Sequence, residues 1–287
     1  MAMLVFAAGV EVYCEQLPNA ARDKHQWMLR HSNEVTTLVL GHSHNMYGIR
    51  PDLLGEGAFN LALECQTLRY DDYLLKHYPM KRLQTVILNY DYFMPWEDLE
   101  HMPNVSAWGI RYRLYMDCDI HPRLSWYGFE VMSIARAKES LKYLFKPFTK
   151  DWDTLGWGTS ADIETRPEEW DNGERRATGN TYEDESLVEL NEGYLRDIFT
   201  FCRQRHVRVI LLNTPVNDTF RQYEDLRQLQ VNARLMAKLQ KDYPEVEYLD
   251  LEADKRFGDD DFYDADHLNH EGAEKLTLIL RDYLEKK

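Results

Sequence analysis

The chain is short of cysteine, of basic charge and of long apolar runs, and each shortage removes a class of answer. Four cysteines (Cys14, Cys65, Cys118 and Cys202) are spread over 287 residues, with no Cys-x-x-Cys and no Cys/His finger spacing. That spacing argues against a structural zinc module, a disulfide framework and a redox motif, and it leaves the compartment open. Lys and Arg number 34 against 49 Asp and Glu, a net charge of -15. Nucleic acids and anionic membrane surfaces are bound through clustered Lys and Arg, so no nucleic-acid partner is expected and the charge reads as a solvated acidic surface. The apolar stretch Met3 to Val10 is too short to span a bilayer, which takes about 20 residues, and Glu11 follows it. It also has neither the basic start nor the cleavage site of a signal peptide.

Residues 1–17 therefore carry two readings. One is the remnant of a membrane anchor, which makes the protein exported, periplasmic or membrane-anchored. The other is an ordinary first helix or strand, which leaves a cytoplasmic protein equally open.

What is present is a globular composition, with 44% hydrophobic and 29% charged residues. The length suits one large α/β domain or two small ones. Residues 18–32 read as a helix that begins near Pro18. Val35 to Leu40 is apolar and β-branched and stops at Gly41, the pattern of a strand buried on both faces. A second strand is expected at 58–63, a helix at 67–77 and a third strand at 83–88. After the third strand the alternation breaks. Residues 95–184 are rich in aromatics (Trp96, Trp108, Tyr112, Tyr115, Trp126, Tyr127, Trp152, Trp157, Trp170) and read as an insertion with helix near 127–144. These rings either stack on sugars or fill a second small core, and the second is the commoner use.

The alternation resumes with an amphipathic helix at 185–205, a strand at 207–212, a helix at 223–241, a strand at 246–250 and a last helix at 271–286. Strands separated by helices predict βαβ units with right-handed crossovers. The expected architecture is one domain over residues 1–287, a three-layer α/β/α sandwich with a five-stranded parallel sheet.

In such a sheet the loops at the carboxyl ends of the strands share one edge, where ligands bind. Gly41-His42-Ser43-His44-Asn45 ends the first strand, and Asp264-Ala265-Asp266-His267-Leu268-Asn269 precedes the last helix. Topology alone brings the two together. Serine needs a base within hydrogen-bonding reach, and the base needs an acid to fix its tautomer. Ser43, His267 and Asp264 supply those types. Two plainer readings stand beside this. Ser43 caps the turn after the strand, and Asp266 or Asn269 caps the last helix with His267 on the surface.

The same residues resemble the SGNH (GDSL-like) hydrolase superfamily. Gly41-His42-Ser43-His44 is similar to its first block, with His42 in place of the aspartate before the serine. Phe59 to Thr67 resembles the second block, with Cys65 at the family's glycine. Asp264 to Ala273 resembles the last block and is the most specific motif in the chain. The third block, Gly-x-Asn-Asp in the family, corresponds here to Asn89-Tyr90-Asp91-Tyr92, so the oxyanion-donating asparagine is not in place.

The resemblance implies a flavodoxin-like sheet, Ser43 as nucleophile, His267 as base and Asp264 as acid, with the Ser43 and Cys65 N–H groups as oxyanion donors. Asn89, Asn60 or Asn45 are candidates to replace the missing donor. His42, His44, Asn45, Tyr90, Asp91 and Pro215 are the candidate substrate contacts. The activity implied is hydrolysis or transfer of an ester acyl group, such as acetyl on a carbohydrate, with no cofactor. The pattern is closest to exported or membrane-anchored bacterial proteins of surface-polysaccharide systems. Two rivals use the same residues. His42, His44, Asp264, Asp266, His267 and His270 could ligate a metal, or the chain is a retired hydrolase scaffold that binds glycan or a protein partner.

Overall fold

The apolar runs become five short strands, and helices fill the spaces between them. In the computed structural model, which describes residues 2–102, 105–120, 141–145 and 147–286, the chain begins with α1 (Ala2–Gln16) and α2 (Ala20–His31) and enters β1 (Thr37–Leu40). The elements α3 (Ser43–Gly48), α4 (Pro51–Leu54), β2 (Ala58–Asn60), α5 (Leu68–His77) and β3 (Thr85–Asn89) follow. After α6 (Val105–Tyr115) come α7 (Gly173–Gly179), α8 (Ser186–Gln204) and β4 (Arg208–Asn213). The chain ends with α9 (Asp218–Arg221), α10 (Leu226–Asp242), β5 (Glu247–Asp250) and α11 (His270–Glu285). The helix expected near 127–144 lies, but for its last residues, outside the described residues, as do Trp126 and Tyr127. Lys142–Leu144 is a single 3-10 turn.

The strands form one sheet in the order β2-β1-β3-β4-β5, and every pairing is parallel. Parallel sheets are covered on both faces, and the strand residues divide accordingly. Val39, Ile87 and Leu212 pack with Ile49, Leu54, Leu276 and Leu280 of the α3, α4 and α11 side. Leu38, Leu40, Val86 and Leu88, one residue out of phase, are equally buried and serve the opposite face, where α5 packs on α8. The result is the three-layer α/β arrangement read from the sequence.

The chain divides into two compact units. Residues Met1–Arg30 and Leu99–Asp151 make the smaller one. Its buried apolar side chains include Cys14, Ala21, Met28, Ile110, Tyr112 and Met116. His25 lies 3.5 Å from Asp117, and Lys150 pairs with Asp23 at 2.9 Å. The larger unit, His31–Asp98 and Trp152–Lys287, holds the whole sheet.

Three of the described tryptophans after β3 pack within the fold. Trp96 is fully buried and donates to Asn232 Oδ1 at 2.7 Å. Trp157 donates to the Tyr47 carbonyl at 2.7 Å, and the Arg166 guanidinium covers the Trp170 ring at 3.6 Å. Rings tied down by their own N–H groups serve as core and roof.

The turn out of β1 is tightly packed. Gly41 has φ +115°, and a Cβ added there would lie 2.1 Å from Asn89 Oδ1. Its N–H donates to the buried Asp71 carboxylate at 2.9 Å, which Gln66 Nε2 also binds at 2.6 Å. Only glycine meets both the dihedral and the clearance. Gly41→Ala should destabilise the protein by about 2 kcal/mol or more through strain and overpacking. Denaturant unfolding checks this, and an unchanged midpoint would refute the close-approach account.

Candidate active site

Ser43 is the first residue of α3, directly beyond the Gly41 turn. The cap of α3 is His42, whose Nδ1 accepts the His44 N–H at 3.3 Å. The capping role is thus taken by a neighbour, and Ser43 Oγ is left to face His267. At the other end of the site, Asn269 caps α11 by accepting the Gly272 N–H at 3.0 Å. Neither Asp264 nor His267 is used as a cap.

The loop carrying Asp264 and His267 is pinned at both ends. Phe262 and Leu268 pair as an antiparallel bridge and enter the core, and the Tyr263 N–H donates to the His267 carbonyl at 2.8 Å. Inside this loop Asp264 Oδ1 accepts the N–H groups of Asp266 (3.1 Å) and His267 (2.8 Å). The carboxylate is therefore fixed before it meets the ring.

His267 Nδ1 lies 2.9 Å from Asp264 Oδ1 and 3.1 Å from Oδ2, and His267 Nε2 lies 2.8 Å from Ser43 Oγ. In the neutral form of the ring, with Nδ1–H donated to Asp264, Nε2 presents a lone pair to the serine hydroxyl. The geometry is that of a nucleophile, a base and an orienting acid.

Behind the triad is a buried layer of charges. Asp266 carries a fork from Arg176, with Nε at 2.6 Å from Oδ1 and Nη2 at 2.7 Å from Oδ2. His44 Nε2 lies 3.3 Å from Asp266 Oδ2, and His44 Nδ1 lies 3.0 Å from Asp91 Oδ2. His42 Nε2 approaches the same Asp91 oxygen at 2.7 Å. Asp91 Oδ1 accepts the Met94 N–H at 3.1 Å, and Thr214 Oγ1 lies 3.3 Å from His44 Nδ1.

Burial opposes charge on every one of these groups, so the shifts report which partners win. For His267 burial is outweighed by the Asp264 and Asp266 carboxylates, which push it up to about 10. His44 is also raised, its desolvation overcome by Asp266 and Asp91. His42 goes the other way, because desolvation exceeds the pull of Asp91. Despite burial, Asp91 is held far below the usual carboxylate range by His42 and His44. Asp266 is held low by His267, His44 and Arg176.

Several residues expected at the site have other roles. Asn60 Nδ2 is spent on the carbonyls of Asn45 (2.8 Å), Ile49 (2.9 Å) and Met46 (3.4 Å), closing the end of α3. It is not placed as an oxyanion donor. Asn89 Oδ1 accepts the His42 N–H at 3.1 Å, and its Nδ2 points toward Asp91 at 3.5 Å. Its amide backs the Gly41 turn. The candidate substrate contacts His42, His44, Asn45, Tyr90, Asp91 and Pro215 are all buried. Asn45 donates to the Leu40 carbonyl and Tyr90 to the Asn232 carbonyl. They support the site from below. Cys65 takes φ +56°, the left-handed region that glycine occupies without cost. The backbone at Cys65 is thus of the kind a glycine adopts. The Ser43 N–H, at the first position of α3, is among the donors a helix leaves without an internal acceptor.

Arg176 is a site residue that the sequence does not announce. It sits on α7, a short helix inside the irregular segment, where no periodicity or motif marks it.

Two trios, His42/His44/Asp91 and His44/Asp266/His267, bring their ligand atoms within 4.8 Å of one another and could hold a cation. In the second, the Arg176 guanidinium already supplies the positive charge, and a metal would have to displace it from both Asp266 oxygens. In the first, the Asp91 oxygen already lies between two imidazoles. His270 is apart from both, with Nε2 3.0 Å from the Thr159 carbonyl. The donor set fits a charge-paired network better than a metal centre.

A base held at about 10 is protonated at neutral pH, and only its free form can take the serine proton. Labelling of Ser43 by a fluorophosphonate should therefore rise about tenfold per pH unit through the neutral range, with its acid limb well above the ordinary histidine value. A limb near 6.5 would refute this charge assignment.

No curated protein matches this chain. A protein-family model that carries no description matches residues 172–287, less than half of the chain. Among solved structures, the chain is similar to a proposed platelet activating factor from Streptococcus pneumonia (TM-score 0.48, 13% identity, covering 99% of this chain and 98% of that one). It is similar to a GDSL-like lipase from Bacteroides thetaiotaomicron (TM-score 0.46, 11% identity, 93% and 99%). A third similar structure is a proposed acylhydrolase from Bacteroides fragilis (TM-score 0.45, 12% identity, 91% and 94%).

Proposed function

We propose that the protein is a serine ester hydrolase or acyltransferase of SGNH type. The observation that carries this reading is the continuous contact from Ser43 Oγ to His267 Nε2 at 2.8 Å and from His267 Nδ1 to Asp264 at 2.9 Å. His267 takes the Ser43 proton as Oγ attacks the ester carbonyl carbon, and Asp264 holds the ring in the tautomer that allows it. The negative charge on the carbonyl oxygen is met by backbone N–H groups, with Ser43 N–H and the glycine-like Cys65 position as the proposed donors. The tetrahedral species collapses, the alcohol leaves with the proton from His267, and an acyl group stays on Ser43. Water, or an acceptor hydroxyl in a transfer reaction, then repeats the sequence and frees the serine.

The finer reading is a small acyl group such as acetyl, carried on a carbohydrate. It rests on the sequence resemblance, since Trp96, Trp152 and Trp157 after β3 are buried in the fold. On the same footing we propose an exported or membrane-anchored location. The exposed Val5, Phe6 and Val12 of α1 are in keeping with a membrane-facing end, although no described helix is long and apolar enough to cross a bilayer. Fractionating cells that express the full-length gene tests this, and recovery wholly in the cytoplasm would refute it.

The second reading, a binding scaffold that has lost its chemistry, draws on one observation. The asparagine nearest the missing oxyanion donor, Asn89, is turned toward His42 and Asp91. Loss of one such donor typically costs about 100- to 1000-fold in rate.

A fluorophosphonate probe and a panel of p-nitrophenyl esters separate the readings. The wild type should label and hydrolyse acetate faster than long-chain esters. Ser43→Ala should abolish labelling, and Asp264→Asn should lower the hydrolysis rate by about 10,000-fold. Treatment with a chelator should change neither. Absence of labelling at every pH would leave the scaffold, and loss of activity on chelation would restore the metal reading.

A further inference from the structure

We infer that Arg176 and Asp266 form a positioning pair that holds His267 on its Nδ1 side and governs when the imidazole can accept the Ser43 proton. The inference deepens the hydrolase reading and rests on it for the meaning of that proton transfer.

Two carboxylates compete at His267 Nδ1. One N–H faces two carboxylates, Asp264 at 2.9 Å and Asp266 at 3.5 Å. Both lie on the loop of His267, and only one can hold the ring in line with Ser43. Asp264 is pre-fixed by two backbone N–H groups. Asp266 is drawn away by groups from other elements. Arg176 of α7 binds both of its oxygens, and His44 of α3 binds one. The same guanidinium brings Nη2 to 3.4 Å from His267 Nδ1. It thereby places a cation against the ring that the two carboxylates are charging.

α7 is built to hold this position. Its Asn172 cap accepts the Arg175 N–H at 3.1 Å. A Cβ on Gly173 would lie 2.1 Å from the Thr219 backbone, so the helix is seated directly on α9. Ala177 is buried against Tyr92, Phe220 and Ala265. Nothing in the triad itself requires this helix, yet its one inward cation reaches the base.

The charged and titratable groups that face His267 are few. Its own loop gives Asp264 and Asp266, α3 and its cap give His44, the Tyr47 ring and His42, and α7 gives Arg176. Asp91 stands behind His44, on the loop after β3. Of these, Asp264 cannot be removed without losing the acid. Arg176 and Asp266 are the pair whose opposite charges act through His267 without touching Ser43.

The test reads the ring directly and the chemistry separately. The His267 imidazole is titrated by NMR in the wild type, Arg176→Gln, Asp266→Asn, the double variant and Arg176→Lys, and the pH profile of Ser43 labelling is recorded in parallel. Removing the cation should raise the His267 midpoint by about one pH unit or more, and removing the carboxylate should lower it by a similar amount. The double variant should fall between them, and Arg176→Lys should stay close to the wild type.

Midpoints that do not move, or that move together with thermal stability and in the same direction for both variants, would overturn the inference as mere packing. Should Arg176→Gln fail to fold, Asp266→Asn and Arg176→Lys still give distinct expectations, a lowered midpoint against one close to the wild type. If the midpoints shift as expected while no form labels at any pH, the positioning pair stands and the hydrolase reading falls.

Discussion

The site depends on the pairing of charges taken out of water. Three carboxylates, Asp91, Asp264 and Asp266, face three cationic partners, His44, Arg176 and His267, in contacts of 2.6 to 3.5 Å. Unpaired, any one of them would be severely penalised by desolvation. Together they close into a chain that runs from the loop after β3, through α3, to the loop before α11 and on to α7. His42 joins this chain as a neutral ring: its Nδ1 accepts a backbone N–H, and burial keeps it from charging. The four segments that make the active edge of the sheet are held by this network as much as by the core beneath it.

That arrangement sets a balance between the resting site and the reacting one. In the proposed reaction, the charges that stabilise the His267 imidazolium are those a tetrahedral intermediate needs, because the ring is protonated when the oxyanion forms. Before the reaction they work against the base by keeping it protonated. A second carboxylate beside the ring deepens both effects, and an arginine on that carboxylate moderates them. The linkage has a sign. Stability from His267 is present below its unfolded value and is lost as pH rises through its folded value near 10. Stability from Asp91 and Asp266 is present above the ordinary carboxylate range and is lost only as strong acid protonates them.

Much of the fold could be read because its rules are local. Strands buried on both faces leave continuous apolar runs, so Val35 to Leu40 and Val207 to Leu212 announce β1 and β4 within two residues of their ends. Helices show their 3.6-residue stripe, and α8 and α11 were placed nearly to their limits. Ser43, Asp264 and His267 were legible because a parallel sheet dictates where its loops go. The rest depends on side-chain direction, which no spacing encodes. Asn60 and Asn89 have the right chemistry for an oxyanion, but β2 and β3 aim them at carbonyls and at the Gly41 turn. His42, His44 and Asp91 suggested substrate contacts because they are polar and near the serine. Their burial follows from tight local geometry at a glycine that approaches Asn89 closely. Arg176 lies in the stretch where alternation fails, and its role appears only when α7 is seated on α9.

The hardest constraint on the proposed chemistry lies on its oxyanion side. A non-glycine residue in the left-handed region carries a cost of about 1 kcal/mol, and Cys65 sits there at φ +56°. A loop free of any demand could relax to a conformation that suits a cysteine. The turn instead keeps the shape that a glycine would take, at the position where a backbone donor would serve the oxyanion. Strain of this kind supports a functional reading when it falls at the site under question. The proposed chemistry then makes a specific demand, because Asn89 is turned toward His42 and Asp91. The developing charge would rest on backbone donors, while Arg176, Asp266 and Asp264 hold the imidazolium that balances it.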